Sequence, residues 1–381
     1  MIYADNAATT RISDIAFQKM LPFLQEHYGN ASSSHFLGGI AKRAIELARN
    51  QIAMALGATS SEIIFASSGS EANNWVLRSV VDAYSDETPH IITSAIEHSS
   101  VLQTCRELEK TGVDVTYLPV NMLGRISIDD VWSAIKPTTK LVSLMYVNNE
   151  IGTIQPIAKI GALLRKKNIL FHTDAVQAFG HIPTKVDSLQ VDYLTASAHK
   201  FNGSKGTGIL YKSSKARISP MLFGGGQERE LRAGTEYIAG IVAAGYAIEE
   251  NLATMDETTY RINTMVNDTV KCIQARIPAL RVNGDFENRI PGIINLGFEG
   301  VSGESLMHLL DLQGICVSTS SACFVGRDEP SHVLLALGLT KKQAKSAIRI
   351  SFGRYNTPDE VDTIVSAICN AYGKILDNQR K

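Results

Sequence analysis

From about residue 60 to residue 211, short apolar runs rich in β-branched residues alternate with amphipathic stretches of helical length. The runs cover 62–66 (Glu-Ile-Ile-Phe-Ala), 90–94, 114–118, 140–146, 169–173, 191–196 and 208–211. Between most of them lie segments such as 71–84, 99–110 and 157–167, whose apolar positions recur at helical spacing. Strand, helix and strand in repetition predict an α/β fold with a mostly parallel seven-stranded sheet covered by helices. The last two runs are joined by a turn too short for a crossover helix, so one strand is expected to be antiparallel.

The alternation stops at Gly224-Gly-Gly-Gln-Glu-Arg-Glu-Leu-Arg-Ala-Gly-Thr235, a loop without periodicity and with a basic, hydroxyl-bearing end. A long helical pattern starts at about Ile238 and leads toward a smaller α+β domain, with strands over 291–297 and 314–318 and helices over 331–338 and 358–376. The expected division is a large domain of residues 15–255 and a small one formed by 1–14 together with 256–381.

The totals narrow the classes of function. A net charge of -1 leaves no basic footprint for nucleic acid or an anionic membrane. No apolar run approaches the ~20 residues needed to span a bilayer, and the first residues lack the basic start of a signal peptide, so a cytoplasmic location is expected. The five cysteines (Cys105, Cys272, Cys316, Cys323, Cys369) are an odd number without a C-x-x-C pair. They predict reduced thiols, with neither a disulfide framework nor a zinc site.

In open α/β sheets ligands gather beyond the carboxyl ends of the strands. The residues that follow the runs therefore form one group: Ser67-Ser-Gly-Ser-Glu71, Glu97-His98, Asn148-Asn-Glu150, Asp174-Ala-Val-Gln177 and Ser197-Ala-His-Lys200. Ser67-Ser-Gly-Ser-Glu-Ala-Asn-Asn74 puts hydroxyls and a glycine where a helix begins after a strand. That is equally a phosphate site or an ordinary serine cap. Asp174, directly after an apolar strand, is a structural acid or the anion that keeps a pyridine nitrogen protonated. Lys200, alone, fits a solvated lysine as well as a Schiff-base amine. Phosphate cup, pyridinium partner and lysine in this order, each at a strand end, are the parts of a pyridoxal phosphate site.

Further motifs extend the pattern: Tyr3-Ala-Asp-Asn-Ala-Ala-Thr-Thr10, Tyr28-Gly-Asn-Ala-Ser-Ser-Ser-His35, Ile96-Glu-His98, Val147-Asn-Asn-Glu-Ile-Gly152, His172-Thr-Asp-Ala-Val-Gln177, Arg232-Ala-Gly-Thr235 and Ser320-Ser-Ala-Cys323. Over essentially its whole length the chain resembles the cysteine desulfurases of the class V aminotransferase group, the NifS and IscS type. The resemblance implies a fold-type-I, aspartate aminotransferase-like transferase that uses pyridoxal 5'-phosphate. Lys200 would hold the cofactor covalently, Asp174 would pair with its pyridine nitrogen, Gln177 and Asn149 would hold the phenolic oxygen side, and His98 would stack on the ring. Gly69, Ser70, Ser197 and His199 would bind the phosphate, with Thr235 reaching across from a second subunit of a homodimer.

Arg349, alternating with Ile348 and Ile350, falls where the family has its substrate-carboxylate arginine, with Arg354 as the rival. Cys323 would be the thiol that takes sulfur from L-cysteine as a persulfide, leaving L-alanine, and passes it to a protein acceptor such as an iron-sulfur scaffold or a thiolation protein. His98 is a candidate acid or base for the proton movements. The loop before Pro330 resembles the longer form of the family's cysteine loop, and Arg327 would favour the thiolate. Two departures stand out: Ala31 where the family often has proline, and an end soon after Tyr372-Gly-Lys-Ile-Leu-Asp377, without the tail by which housekeeping members engage an iron-sulfur scaffold. The alternatives are a selenocysteine lyase or another class V reaction and, outside enzymes, a catalytically silent cofactor-binding scaffold.

Overall fold

The computed structural model describes residues 1–84, 87–319 and 329–379. A short strand β1 (Ile2–Tyr3) opens the chain. Seven further strands follow: β2 (Ile63–Ala66), β3 (His90–Ser94), β4 (Asp114–Leu118), β5 (Thr139–Met145), β6 (Leu170–Asp174), β7 (Tyr193–Ser197) and β8 (Gly208–Lys212). They form one sheet in the order β2-β8-β7-β6-β5-β3-β4. Pairing is parallel from β7 through to β4, and β8 runs antiparallel to both β7 and β2. The expected strands are all present, and the reversal falls at the connection too short for a crossover. β2, β3 and β7 are buried along their whole length, as a sheet covered on both faces requires.

The second sheet lies toward the C-terminus. β9 (Arg281–Asn283), β10 (Ile293–Gly297), β12 (Ser318–Thr319) and β13 (Ala347–Ser351) form an antiparallel sheet in the order β12-β13-β10-β9, while β11 (Ile315–Cys316) pairs in parallel with β1. The strand expected over 314–318 is thus two strands that leave Val317 between them and join different sheets. Helices Met255–Arg276 and Glu360–Gln379 supply Val266, Ile273, Ile364 and Ile368 to the core of this sheet, together with Ala4 from the N-terminal segment. The helix expected over 358–376 is therefore Glu360–Gln379, and the one over 331–338 is His332–Ala336.

The 21-residue helix Phe36–Leu56 was not among the expected elements; its buried face mixes Ala41, Ala48, Ala53 and Ala55 with Ile45, Ile52, Leu56, Arg49 and Gln51. It packs against Ile238–Ala253. Arg49 is only 4% exposed; its guanidinium makes a two-pronged pair with Glu228, Nη1 at 2.7 Å and Nη2 at 2.8 Å. Glu228 also accepts from the backbone N–H of Phe65 in β2, which fixes the 224–235 loop to the large sheet.

Candidate active site

The carboxyl ends of β3, β5, β6 and β7 open onto a cavity of about 340 Å³, within the range of small-molecule sites. Its wall includes Gly69, Ser70, His98, Asn149, Asp174, Gln177, Ser197, His199, Lys200 and Arg349. All but Arg349 come from the strand-end group expected from the sequence, and Arg349 joins them from β13 of the second sheet. Thr235 lies outside this cavity, beside Arg232, Gly206 and Tyr237, and Arg354 also lies elsewhere, bonded to Glu250 and Thr254. Cys323 and Arg327 are outside the described residues.

Each side chain has a local reason for its place. The helix Gly69–Ala83 starts directly after β2 and is capped by Ser68, whose Oγ accepts from the N–H of Glu71 at 3.1 Å. The first-turn N–H groups of Gly69 and Ser70 have no acceptor within the helix. A Cβ on Gly69 would lie 2.7 Å from Val176 Cγ2, so only glycine lets the helix start come this near to the turn after β6. Arg232 grips Glu71 at 2.9 Å and fastens the 224–235 loop to the same turn.

Asp174 ends β6 and is 6% exposed. Its Oδ1 accepts from the N–H of Val176 at 3.0 Å and its Oδ2 from Asn73 Nδ2 at 2.7 Å. Lys200 Nζ donates to the carbonyl oxygens of Ala7 at 2.5 Å and Ala8 at 2.7 Å, and Gln177 Nε2 donates to the same Ala7 oxygen at 2.9 Å. His199 Nδ1 lies 3.1 Å from Thr9 Oγ1. Burial, followed by the charges of Lys200 and Lys205, pushes the His199 imidazole down to about 4, so it meets a ligand as a neutral hydrogen-bonding group.

His98 caps the helix Ser99–Glu109, with Nδ1 3.2 Å from the N–H of Ser100 and 2.8 Å from its Oγ. Asn148 turns the chain after β5, accepting from the N–H groups of Glu150 and Ile151, and so presents Asn149. Arg349 sits on β13, opposite Asn295 and Ser318. Its Nη1 donates to Asn149 O at 2.9 Å and its Nη2 to Asp5 Oδ1 at 2.6 Å.

Four contributors were not legible as site residues. Asn73 falls one helical turn after Gly69, which was the available signal. Ser100 follows His98 by two residues. The carbonyls of Ala7 and Ala8 carry no side-chain signal at all. Pyridoxal phosphate fits the residues present: first-turn N–H groups and Ser197 at one end, a buried carboxylate on the floor, a primary amine, and a glycine where any Cβ would close the wall.

Comparison with known proteins agrees. The model of the class V aminotransferase family matches residues 2–364. The chain is 44% identical, over all of its length and 95% of the relative's, to a protein named cysteine desulfurase IscS from Clostridium botulinum (strain Kyoto / Type A2). A solved NifS-like protein superposes with a TM-score of 0.92 at 38% identity, covering 97% of this chain and 98% of that one. The structure of SspA in complex with cysteine superposes with a TM-score of 0.81 at 34% identity, over 94% of this chain and 100% of the other. The chain belongs to the pyridoxal phosphate-dependent class V aminotransferase family, among the cysteine desulfurases of the IscS and NifS type.

Proposed function

We propose that this protein converts L-cysteine to L-alanine and carries the released sulfur as a persulfide on Cys323, working as a cytoplasmic homodimer that hands the sulfur to a protein acceptor. The observation that carries the reading is the meeting of Asp174, Lys200, the Gly69–Ser70 turn and Arg349 around one cavity. A buried acid, an amine, an anion cup and a carboxylate fork are what an amino acid and a pyridine cofactor together require. The similarity to SspA, whose structure was solved in complex with cysteine, supports the choice of substrate.

Lys200 holds the cofactor through Nζ and, in the reaction, takes the proton from the substrate Cα. Bound pyridoxal phosphate supplies an electron sink for the charge left at that carbon. Asp174 would pair with the pyridine nitrogen through its carboxylate and so favour the ring's electron-sink form. Gln177 and Asn149 hold the phenolic side, Ser70, Ser197 and His199 the phosphate, and Thr235 of the second subunit completes the phosphate end. Arg349 receives the substrate carboxylate on its fork. His98 moves a proton at its ring nitrogen.

The Cys323 thiolate attacks the sulfur of the bound cysteine. The substrate Cβ–S bond breaks, its electron pair stays with carbon, and the carbon takes up a proton to become the alanine methyl group. One cysteine and one enzyme thiol thus give one alanine and one enzyme persulfide, with no external oxidant or reductant. Cys323→Ala should retain the visible absorption of the bound cofactor and form no persulfide; undiminished sulfur transfer by that variant would overturn the assignment.

A further inference from the structure

We propose that Asn73 and Ser100 are positioning residues that fix the His98 imidazole as its Nε2–H tautomer, with the Asp174 carboxylate as their anchor. The inference rests on the reading that His98 takes part in the reaction, and it deepens that reading.

The four residues form one chain of hydrogen bonds. Asn73 Nδ2 donates to Asp174 Oδ2 at 2.7 Å and to Ser100 Oγ at 2.9 Å. Ser100 Oγ lies 2.8 Å from His98 Nδ1, which also accepts from the Ser100 N–H at 3.2 Å. The polarity of the chain runs one way. Asp174 Oδ2 accepts from Asn73 Nδ2, so the Asn73 amide lies with its nitrogen inward and uses one of its two hydrogens there. The other goes to Ser100 Oγ, which is thereby an acceptor and has its own hydrogen left for His98 Nδ1. Two donors on Nδ1 leave no room for a proton there, and the neutral ring carries it on Nε2.

Asn73 shows that this orientation is imposed. The residue is 1% exposed and its Oδ1 is buried with no hydrogen-bond partner among the described residues. Rotating the amide would turn that oxygen toward the carboxylate, so the unmet acceptor is the lesser cost. Burial pushes the His98 imidazole down, the Asp174 charge opposes that, and the Lys200 charge adds to it. His332, on the far side, also stands near it and is pushed down mainly by burial. With Nδ1 occupied, Nε2 is the only ring atom that can exchange a proton with a ligand. The same chain ties that atom to the group that holds the cofactor's pyridine nitrogen.

The test is nitrogen-15 NMR of histidine-labelled protein stripped of cofactor, at a pH above the usual histidine range. The His98 signals are assigned as those lost in His98→Gln. In the wild type, Nδ1 should show the shift of a bare ring nitrogen and Nε2 that of a protonated one. In Ser100→Ala the two should move toward a common averaged value, and Ser100→Thr, which keeps a hydroxyl, should restore them. In the holoenzyme, kcat of Ser100→Ala should fall about tenfold with KM unchanged, a part of the ~10²- to 10⁴-fold that a positioned acid or base contributes. A protonated Nδ1 in the wild type, or ring shifts unaltered by Ser100→Ala, would overturn the proposal. Wild-type protein that shows the tautomer but makes no alanine from cysteine would instead overturn the desulfurase reading and leave the brace standing.

Discussion

Arg349 Nη2 donates to the carboxylate of Asp5 at 2.6 Å, joining residues 344 positions apart. The arginine proposed to take the substrate carboxylate is already held by a carboxylate, and it is only 5% exposed. Asp5 pre-orients the fork, and the substrate binds at its cost. Arg349→Ala should lower kcat/KM for L-cysteine by roughly 10- to 100-fold, the worth of one charge-assisted hydrogen bond, chiefly through KM. Arg354→Ala should leave KM where it is, since Arg354 is engaged by Glu250 and Thr254 outside the cavity. Steady-state kinetics of alanine formation check both, and the opposite ranking would move the carboxylate site to Arg354.

Thr235 faces away from the cavity of its own chain. If it serves the partner's phosphate end, dimers reassembled from inactive Lys200→Ala and weakened Thr235→Ala chains should recover activity. One of their two sites then has Lys200 from one chain and Thr235 from the other. Mixtures no more active than the average of the two parents would place Thr235 in cis or outside the site.

Glu97 is buried, with Oε1 accepting from the Met145 N–H at 3.1 Å and from Ser94 Oγ at 2.5 Å, and with Oε2 unmet among the described residues. Burial, the largest cause, lifts its carboxyl from an ordinary 4.5 to about 8. Between those values the folded protein keeps a proton that the unfolded chain has released, so this residue lowers stability as pH rises across that window. Glu97→Gln, a permanent mimic of the protonated acid, should flatten the fall in thermal midpoint between pH 4.5 and about 8. A slope unchanged from the wild type would show that Glu97 does not carry it.

The Arg49–Glu228 pair is buried on both sides. Removing one partner strands the other charge, so Glu228→Ala should lower stability by about 3–5 kcal/mol in urea denaturation. The double variant Arg49→Met with Glu228→Leu should recover most of that loss. A single-variant loss under about 1 kcal/mol would mean that water reaches the arginine.

Much of the large sheet was legible because strands buried on both faces carry long β-branched runs, and the strand ends then named Asp174, Lys200 and His98. Phe36–Leu56 was not among the expected elements; its buried face sets Arg49 and Gln51 among alanines and Ile45, Ile52 and Leu56. The break at Val317 was equally hidden. The apolar run is continuous, and only the pairing of Ile315 with Ile2 and of Ser318 with Arg349 divides it. Asn73 stood inside a motif already singled out and Ser100 in the helical stretch 99–110, but hydrogen bonds between residues 27 apart have no trace in spacing.

The carbonyls of Ala7 and Ala8, which hold Lys200 Nζ, belong to a segment that is made long before the residues that complete it. As the chain leaves the ribosome, Asn6 must await Ser351 and Asp5 must await Arg349, contacts that span nearly the whole polypeptide. Such distant closures are slow. A nascent chain can therefore assemble the large sheet early, but full capture of the cofactor waits until Arg349 and Ser351 have been made.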